Sequence, residues 1–256
     1  MQPKFGIRRW QAACILGALA LSIAAPASAN DFRGRGRDPF RGAREEHWGA
    51  ILRNTIGSPV TELRFGPFVP GSAPPFGKGS LGIEVSDNAM SGGTPQEKAD
   101  FGNEVDFAGV PVSGLNQVGF YVFQTGENAD RSPGNMPNIQ MEISAPPVTG
   151  YSSMVWVPDP APVTNQWSDY LDATTTGYWY FTNGSLATAT GCGQSQACTF
   201  TDAMQNLMYA APSAVFLSIA IGKGRDYAWA GAVDGLRIND SLYDFEPGGV
   251  KERHVR

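Results

Sequence analysis

Histidine is almost missing from this chain. Of 256 residues only His47 and His254 carry an imidazole, and both lie in terminal segments. A Ser-His-Asp hydrolase or a His-based zinc site in the body of the chain is therefore not expected, because each is built around imidazole. Cysteine is scarce too. Cys14 falls in the N-terminal apolar stretch, which leaves Cys192 and Cys198. Their spacing is not C-x-x-C and no histidine lies near, so neither a redox motif nor a metal pair is expected. The body of the chain has no long helical period and no repeat at a fixed spacing. Its clearest apolar run, Cys14 to Ala25, is shorter than the roughly 20 residues a membrane-spanning helix needs. Basic residues are also in deficit, 19 against 24 acids. An acidic surface disfavours nucleic acid and anionic membranes as partners.

What is present begins with an address. Lys4, Arg8 and Arg9 precede the run CILGALALSIAA, which ends at Ala27-Ser28-Ala29, an A-x-A cleavage pattern. Residues 1–29 read as an export signal, and secretion or release to the periplasm follows. Arg8-Arg9 is followed by Trp10 and Gln11, a poor twin-arginine context. Cys14 opens the apolar run rather than following it, so it is not a lipoprotein cysteine. The stretch FRGRGRDPFRGAR (32–44) holds five arginines and is Gly-rich, and Glu45 and Glu46 follow at once. Residues 30–60 read as a solvated, largely disordered leader rather than a polyanion-binding arm. In an exported chain Cys192 and Cys198 are expected to form a disulfide. So short a loop adds only about 2 kcal/mol in the chain-entropy picture.

Residues 61–247 show short runs of Val, Ile, Phe, Tyr and Trp split by Gly, Pro, Asn and Asp. This predicts an all-β, two-sheet antiparallel jelly-roll sandwich, followed by a polar tail over 248–256. Strands are predicted at 80–85, 103–110, 116–124, 138–144, 152–157, 177–182, 214–222, 227–238 and 242–245. Leu81, Ile83 and Val85 alternate onto one face, as do Ile139, Met141 and Ile143. In 214–222 Phe216 breaks the alternation. One short helix is predicted from Asp202, capped by Thr201 and stopped by Pro212.

The stretches PPFGKGSLGIEV (74–85), EKADFG (97–102) and GAVDGLRI…YDFE resemble secreted bacterial jelly-roll proteins of the concanavalin-like, laminin-G-like and carbohydrate-binding-module type. The resemblance covers roughly residues 61–247 and speaks to fold more than to function. Glu104-Val105-Asp106-Phe107-Ala108-Gly109 also resembles the start of the Glu-x-Asp-x-x-Glu box of concanavalin-like endo-glucanases. Gly109 stands where the second acid would be, so a double displacement lacks its proton donor. The same resemblance implies a structural calcium, with Asp234 and Glu84 as candidate ligands. The alternative for Asp234 is a carboxylate held by backbone amides or an arginine. If Asp234 shares a face with Leu236 and Ile238, it points to the core, where it needs partners.

Sugar rings pack on flat aromatic side chains with polar groups at the edge. Trp167, in the polar loop TNQWSDY, and Tyr178, Tyr180 and Tyr227 are the candidate ligand-binding residues. Trp179 is expected inward and its flanking tyrosines outward. The competing reading is that all these rings are ordinary core or rim. Three functions remain: a non-catalytic module that binds carbohydrate or cell-envelope polymer, a structural or adhesion module with protein partners, and a cryptic glycoside hydrolase.

Overall fold

The computed structural model describes residues 47–86, 90–91, 94–95, 97–128, 135–159, 163–225 and 227–255. The expected signal, 1–29, and the arginine-rich arm, 32–44, lie outside the described residues. The fold is an all-β sandwich of two antiparallel sheets. The first sheet runs β1 (Trp48–Ala50), β6 (Ala99–Asn103), β12 (Val215–Lys223), β8 (Asn138–Ala145), β9 (Thr149–Val157), β11 (Tyr178–Phe181). The second starts at β10 (Leu171–Asp172), β7 (Val118–Gln124) and β13 (Trp229–Ile238). Beyond β13 it divides. β3 (Gly79–Val85) with β2 (Val60–Phe65) takes the first half of β13, and β14 (Ser241–Glu246) with β15 (Gly249–His254) takes the second. A small hairpin pairs β4 (Met90–Ser91) with β5 (Thr94–Pro95).

Period-two alternation builds the core. Leu81 and Ile83, Val118, Phe120 and Val122, Ile139, Met141 and Ile143, and Met154 and Trp156 all enter one buried cluster. Burying each such side chain is worth about 1.5–3 kcal/mol. In β12 the break at Phe216 is a bulge between Phe216 and Ser218, which lets Phe216, Ile219 and Ile221 share the inner face. The strand predicted at 103–110 does not form. Pairing ends at Asn103, whose side-chain oxygen accepts the N–H groups of Val105 and Asp106 and turns the chain into a bend.

Two α-helices form among the described residues, not one. α1 (Gly184–Thr190) is capped by Asn183, whose side-chain oxygen accepts the N–H groups of Ser185 and Leu186. α2 (Phe200–Ala210) starts earlier than predicted, because Thr199 rather than Thr201 accepts the Asp202 N–H. The sheets also extend past 61–247 at both ends. Trp48 of β1 sits 4.9 Å from Tyr243 and 5.9 Å from Phe245, ring centre to ring centre, so part of the expected leader packs on the core. Residues 249–254, expected as a tail, form β15, whose charged side chains suit an exposed edge strand.

Candidate functional site

Tyr178-Trp179-Tyr180 splits as the alternation requires. Trp179 is fully buried, donates its indole N–H to the Ala173 carbonyl at 2.7 Å, and packs on Phe200. Tyr178, 47% exposed, and half-buried Tyr180 point the other way, away from the core. They pair opposite Val157 and Val155 of β9. On β9 the same outward parity continues through Ser153 to Tyr151, which is 48% exposed. From Val157 to Tyr151 the strand rises about 20 Å. One open face of the sheet thus carries three tyrosines along its last two strands. Tyr151 was not among the predicted residues. Its signal was the parity it shares with Ser153 and Val155, lost by starting that strand at Ser152.

The strip is braced from two sides. Beneath Tyr151 lies Glu142 of β8, whose carboxylate accepts from the Tyr151 hydroxyl (2.7 Å), Ser218 (2.7 Å), Asn54 (3.1 Å) and Arg53. Burial raises its pKa, yet the bonds from Ser218, Tyr151 and Asn54, with the charge of Arg53, outweigh burial and hold it below the ordinary glutamate value. Four donors fill the acceptor sites of a carboxylate. Glu142 is a strut, with no lone pair left to take a proton from a substrate. On the far side, the disulfide Cys192–Cys198 holds a loop that pairs with β11 as a further strand would. Trp179 and Cys198 exchange both backbone hydrogen bonds, and Phe181 N–H donates to the Cys192 carbonyl.

Asp100 of β6 occupies the same outward face. Burial pushes its carboxyl up to about 6, against the opposing charge of Lys98 at 2.9 Å. It is 1% exposed, so the middle of this sheet is closed where the β9–β11 margin is open.

The other predicted residues fall elsewhere. Trp167 is a correction. Its loop lies across the outer face of the second sheet, the ring packs 5.8 Å from Phe123, and the indole N–H donates to Pro67. At 9% exposure it is a cover, not a platform. Glu84 and Asp234 do not meet. Glu84 pairs with Arg64 at 2.7 Å and stands opposite Ala230, four residues along β13 from Asp234, about 13 Å of strand. Among the described residues, no group of three or more His, Cys, Asp or Glu side chains is placed to hold a metal ion. Tyr227, 53% exposed, lies two residues before β13 begins.

Asp234 does not share a face with Leu236 and Ile238. A bulge at Asp234–Gly235, with Gly235 at φ +61°, reverses the alternation, so Val233, Leu236 and Ile238 all point inward and Asp234 outward. It is nonetheless fully buried, under the segment that leads into β3. This is where β13 changes neighbour from β3 to β14, and the carboxylate serves both branches. It accepts the Phe76 N–H on the β3 side at 3.1 Å and the Phe245 N–H on the β14 side at 3.1 Å. Glu246 adds a second stitch by accepting the Lys78 N–H at 2.8 Å. Burial pushes Asp234 up to about 7 despite those amides. The backbone-amide reading of Asp234 describes what the structure holds.

Glu104 and Asp106 lie in the bend after β6, off any strand. Glu104 is paired with Arg53. Asp106 accepts from Asn103 and is bonded to His47 at 2.8 Å. His47, remote in sequence, is thus brought to a carboxylate that the terminal position of the histidine gave no reason to expect.

These features define the class: an all-β, two-sheet sandwich with an open tyrosine strip at one margin and closed carboxylate sites elsewhere. No family model matches the chain, and no curated protein and no solved structure matches it either. Among the described residues no helix is long and apolar enough to cross a membrane, and the disulfide is compatible with an extracellular or periplasmic setting.

Proposed function

We propose that this is an exported, non-catalytic module that binds carbohydrate or cell-envelope polymer on the strip formed by Tyr151, Tyr178 and Tyr180. The observation that carries the reading is three outward tyrosines on adjacent, fully paired strands, with their backs fixed by Glu142 and the disulfide loop. Phenol rings offer sugars an apolar face and a polar edge, and a paired sheet fixes them before a ligand arrives. A polymer lies along such a strip, whereas a single small molecule needs enclosure. The saturated state of Glu142 supports binding over hydrolysis. The resemblance to carbohydrate-binding sandwiches and the N-terminal export pattern point the same way.

A glycan array with the full chain, followed by affinity electrophoresis in gels holding the best polysaccharide, tests this. Removing one platform ring should weaken binding about tenfold, the loss of roughly 1.4 kcal/mol. Tyr178→Ala with Tyr180→Ala should abolish retardation while leaving the melting temperature near that of the wild type. Absence of binding to every glycan, or full retardation of the double variant, would overturn the proposal.

A further inference from the structure

The edges of the two sheets are not alike. The first sheet ends on β1, which has three residues, and on β11, which the disulfide loop pairs. The second ends on β10, with two residues, and on the outer strands of its two branches, β15 and β2. β15 carries Lys251, Glu252, Arg253 and His254, charges that discourage a further strand. β2 is six residues long, VTELRF, pairs with β3 without a bulge, and holds no proline, glycine or lysine to blunt it. Among the described residues no backbone group on its other side is hydrogen-bonded. Phe65 at its end is 70% exposed, and Val60 and Phe68 are exposed as well.

The phase of this free edge follows from the bond just past its end. Gly66 donates its N–H to the Lys78 carbonyl, and the register carries the alternation back along the strand. Val60, Glu62 and Arg64 are thus the residues bonded to β3. The N–H and C=O groups of Thr61, Leu63 and Phe65 point away from the sheet. Two such edges can meet antiparallel about a two-fold axis. An axis at Glu62 sets that carboxylate against its own copy, and an axis at Arg64 sets guanidinium against guanidinium. Like charges directly opposite are destabilising. An axis at Leu63 avoids both. Leu63 then exchanges bonds with Leu63 of the second copy, and Thr61 with Phe65. In the close, non-bonded pairs between them Glu62 faces Arg64, once on each side of the axis. Arg64 can take this second carboxylate. Of the five N–H donors of a guanidinium, it spends two, on Glu84 and on the Gly231 carbonyl. Glu62 is exposed and lies 3.6 Å from Arg64 of its own chain, outside hydrogen-bond reach.

We propose that the edge of β2 is a self-association surface and that its partner is a second copy of this chain, joined antiparallel about Leu63 so that the second sheets of two molecules run on as one. Backbone bonds hold the strands together, as in other sheet-edge additions. The Glu62–Arg64 pairs fix the register. Phe65 gains cover from Thr61 and Leu63 of the second copy, which lie opposite and diagonal to it on the same face. The surface belongs to the second sheet and does not rest on the tyrosine strip of the first.

Sedimentation velocity of the full chain over a range of loading concentrations tests this. A single six-residue edge is a small interface, so a dimer with a Kd on the order of 10 µM is expected. Glu62→Arg sets arginine against arginine, and Arg64→Glu sets glutamate against glutamate. Each should raise the dimer Kd at least about tenfold. Mixed in equal amounts, the two variants should dimerise again, because both facing pairs are then of opposite charge. Thr61→Pro removes an outward N–H and no bond to β3, and should weaken the dimer as well. Melting curves and near-ultraviolet circular dichroism check that each variant is folded. Where Arg64→Glu fails to fold for want of the Glu84 pair, Glu62→Arg and Thr61→Pro decide, and both must weaken association. The proposal falls if the wild-type chain stays monomeric up to about 200 µM, twenty times the expected Kd. It also falls if the folded variants dimerise like the wild type, which would place the contact on another surface, or if the mixture of two folded charge variants stays monomeric.

Discussion

The two sheets treat their outward faces in opposite ways. On the second sheet the outer face of β13 and β7 is roofed: Trp167 lies on Phe123 and Ala232, and the segment before β3 closes over Asp234. On the first sheet the margin formed by β9 and β11 is open and shows its tyrosines. Both faces hold aromatic and acidic groups, so composition does not separate them. What separates them is the connection. Long crossing segments, 66–78 and 164–170, cover the second sheet, whereas the disulfide loop extends the first one edgewise and leaves its face clear. An aromatic ring in a polar loop is therefore a weaker sign of a binding surface here than one on a strand.

The roofed face should be the fragile one. Asp234→Ala strands the amides of Phe76 and Phe245 in a buried site and should cost about 3–5 kcal/mol, read from urea midpoints. Loss of less than about 1 kcal/mol would show that the fork holds without its carboxylate. Trp167→Ala removes the roof ring and should cost about 3 kcal/mol, with no change in glycan retardation. Any loss of retardation in that variant, at a temperature where it is folded, would move the binding face to the second sheet.

The open face should tolerate substitution and lose ligand instead. Cys192→Ser with Cys198→Ser should cost about 2 kcal/mol and weaken polymer binding, because β11 loses the partner loop on its free side. Equal binding with and without the disulfide would mean that β9 alone positions the tyrosines.

The pH dependence sharpens the same contrast. Asp234, at about 7, and Asp100, at about 6, are both raised by burial. In the unfolded chain each releases its proton near the ordinary aspartate value, so between about 4 and about 7 the folded state holds more protons. Stability should be greatest near pH 4 as far as these two are concerned, and fall as pH rises to about 7. Asp234→Asn should flatten much of that slope in melting curves. Glu142, lowered, acts in the opposite sense at more acidic pH, where its protonation loosens the Tyr151 strut. A slope unchanged by Asp234→Asn would assign the effect to the other acids that burial raises, Asp100 and Asp244.

Alternation made most of the core legible in the sequence: Ile139, Met141 and Ile143 are inside, and Trp179 is in where Tyr178 is out. Bulges were not legible. Each inserts one residue and reverses every parity after it, so the face of Asp234 relative to Leu236, and the break at Phe216, are not resolved by alternation alone. Pairing across the chain was not legible either. The strand at 99–103 has few β-branched residues and exists because β1 and β12 flank it, while 103–110 has the composition but bends at Asn103 and meets β12 again only at Gly109 and Val110. At the sites, local patterns gave the tyrosines of β11 and the disulfide. The Glu142 cluster draws on residues far apart in sequence, and no local spacing announces it.

The fork at Asp234 also bears on the order in which the chain assembles. Its two amides differ widely in sequence distance: Phe245 is 11 residues away and Phe76 is 158. The near bond belongs to a hairpin that forms by itself on a short timescale, whereas the far one closes a loop of most of the domain and bears its entropy. One carboxylate therefore marks both an early and a late event. If the far contact is absent from the folding transition state, weakening Asp234 leaves the folding rate nearly unchanged and speeds unfolding. The roof over the second sheet is then the latch that sets the lifetime of the native state.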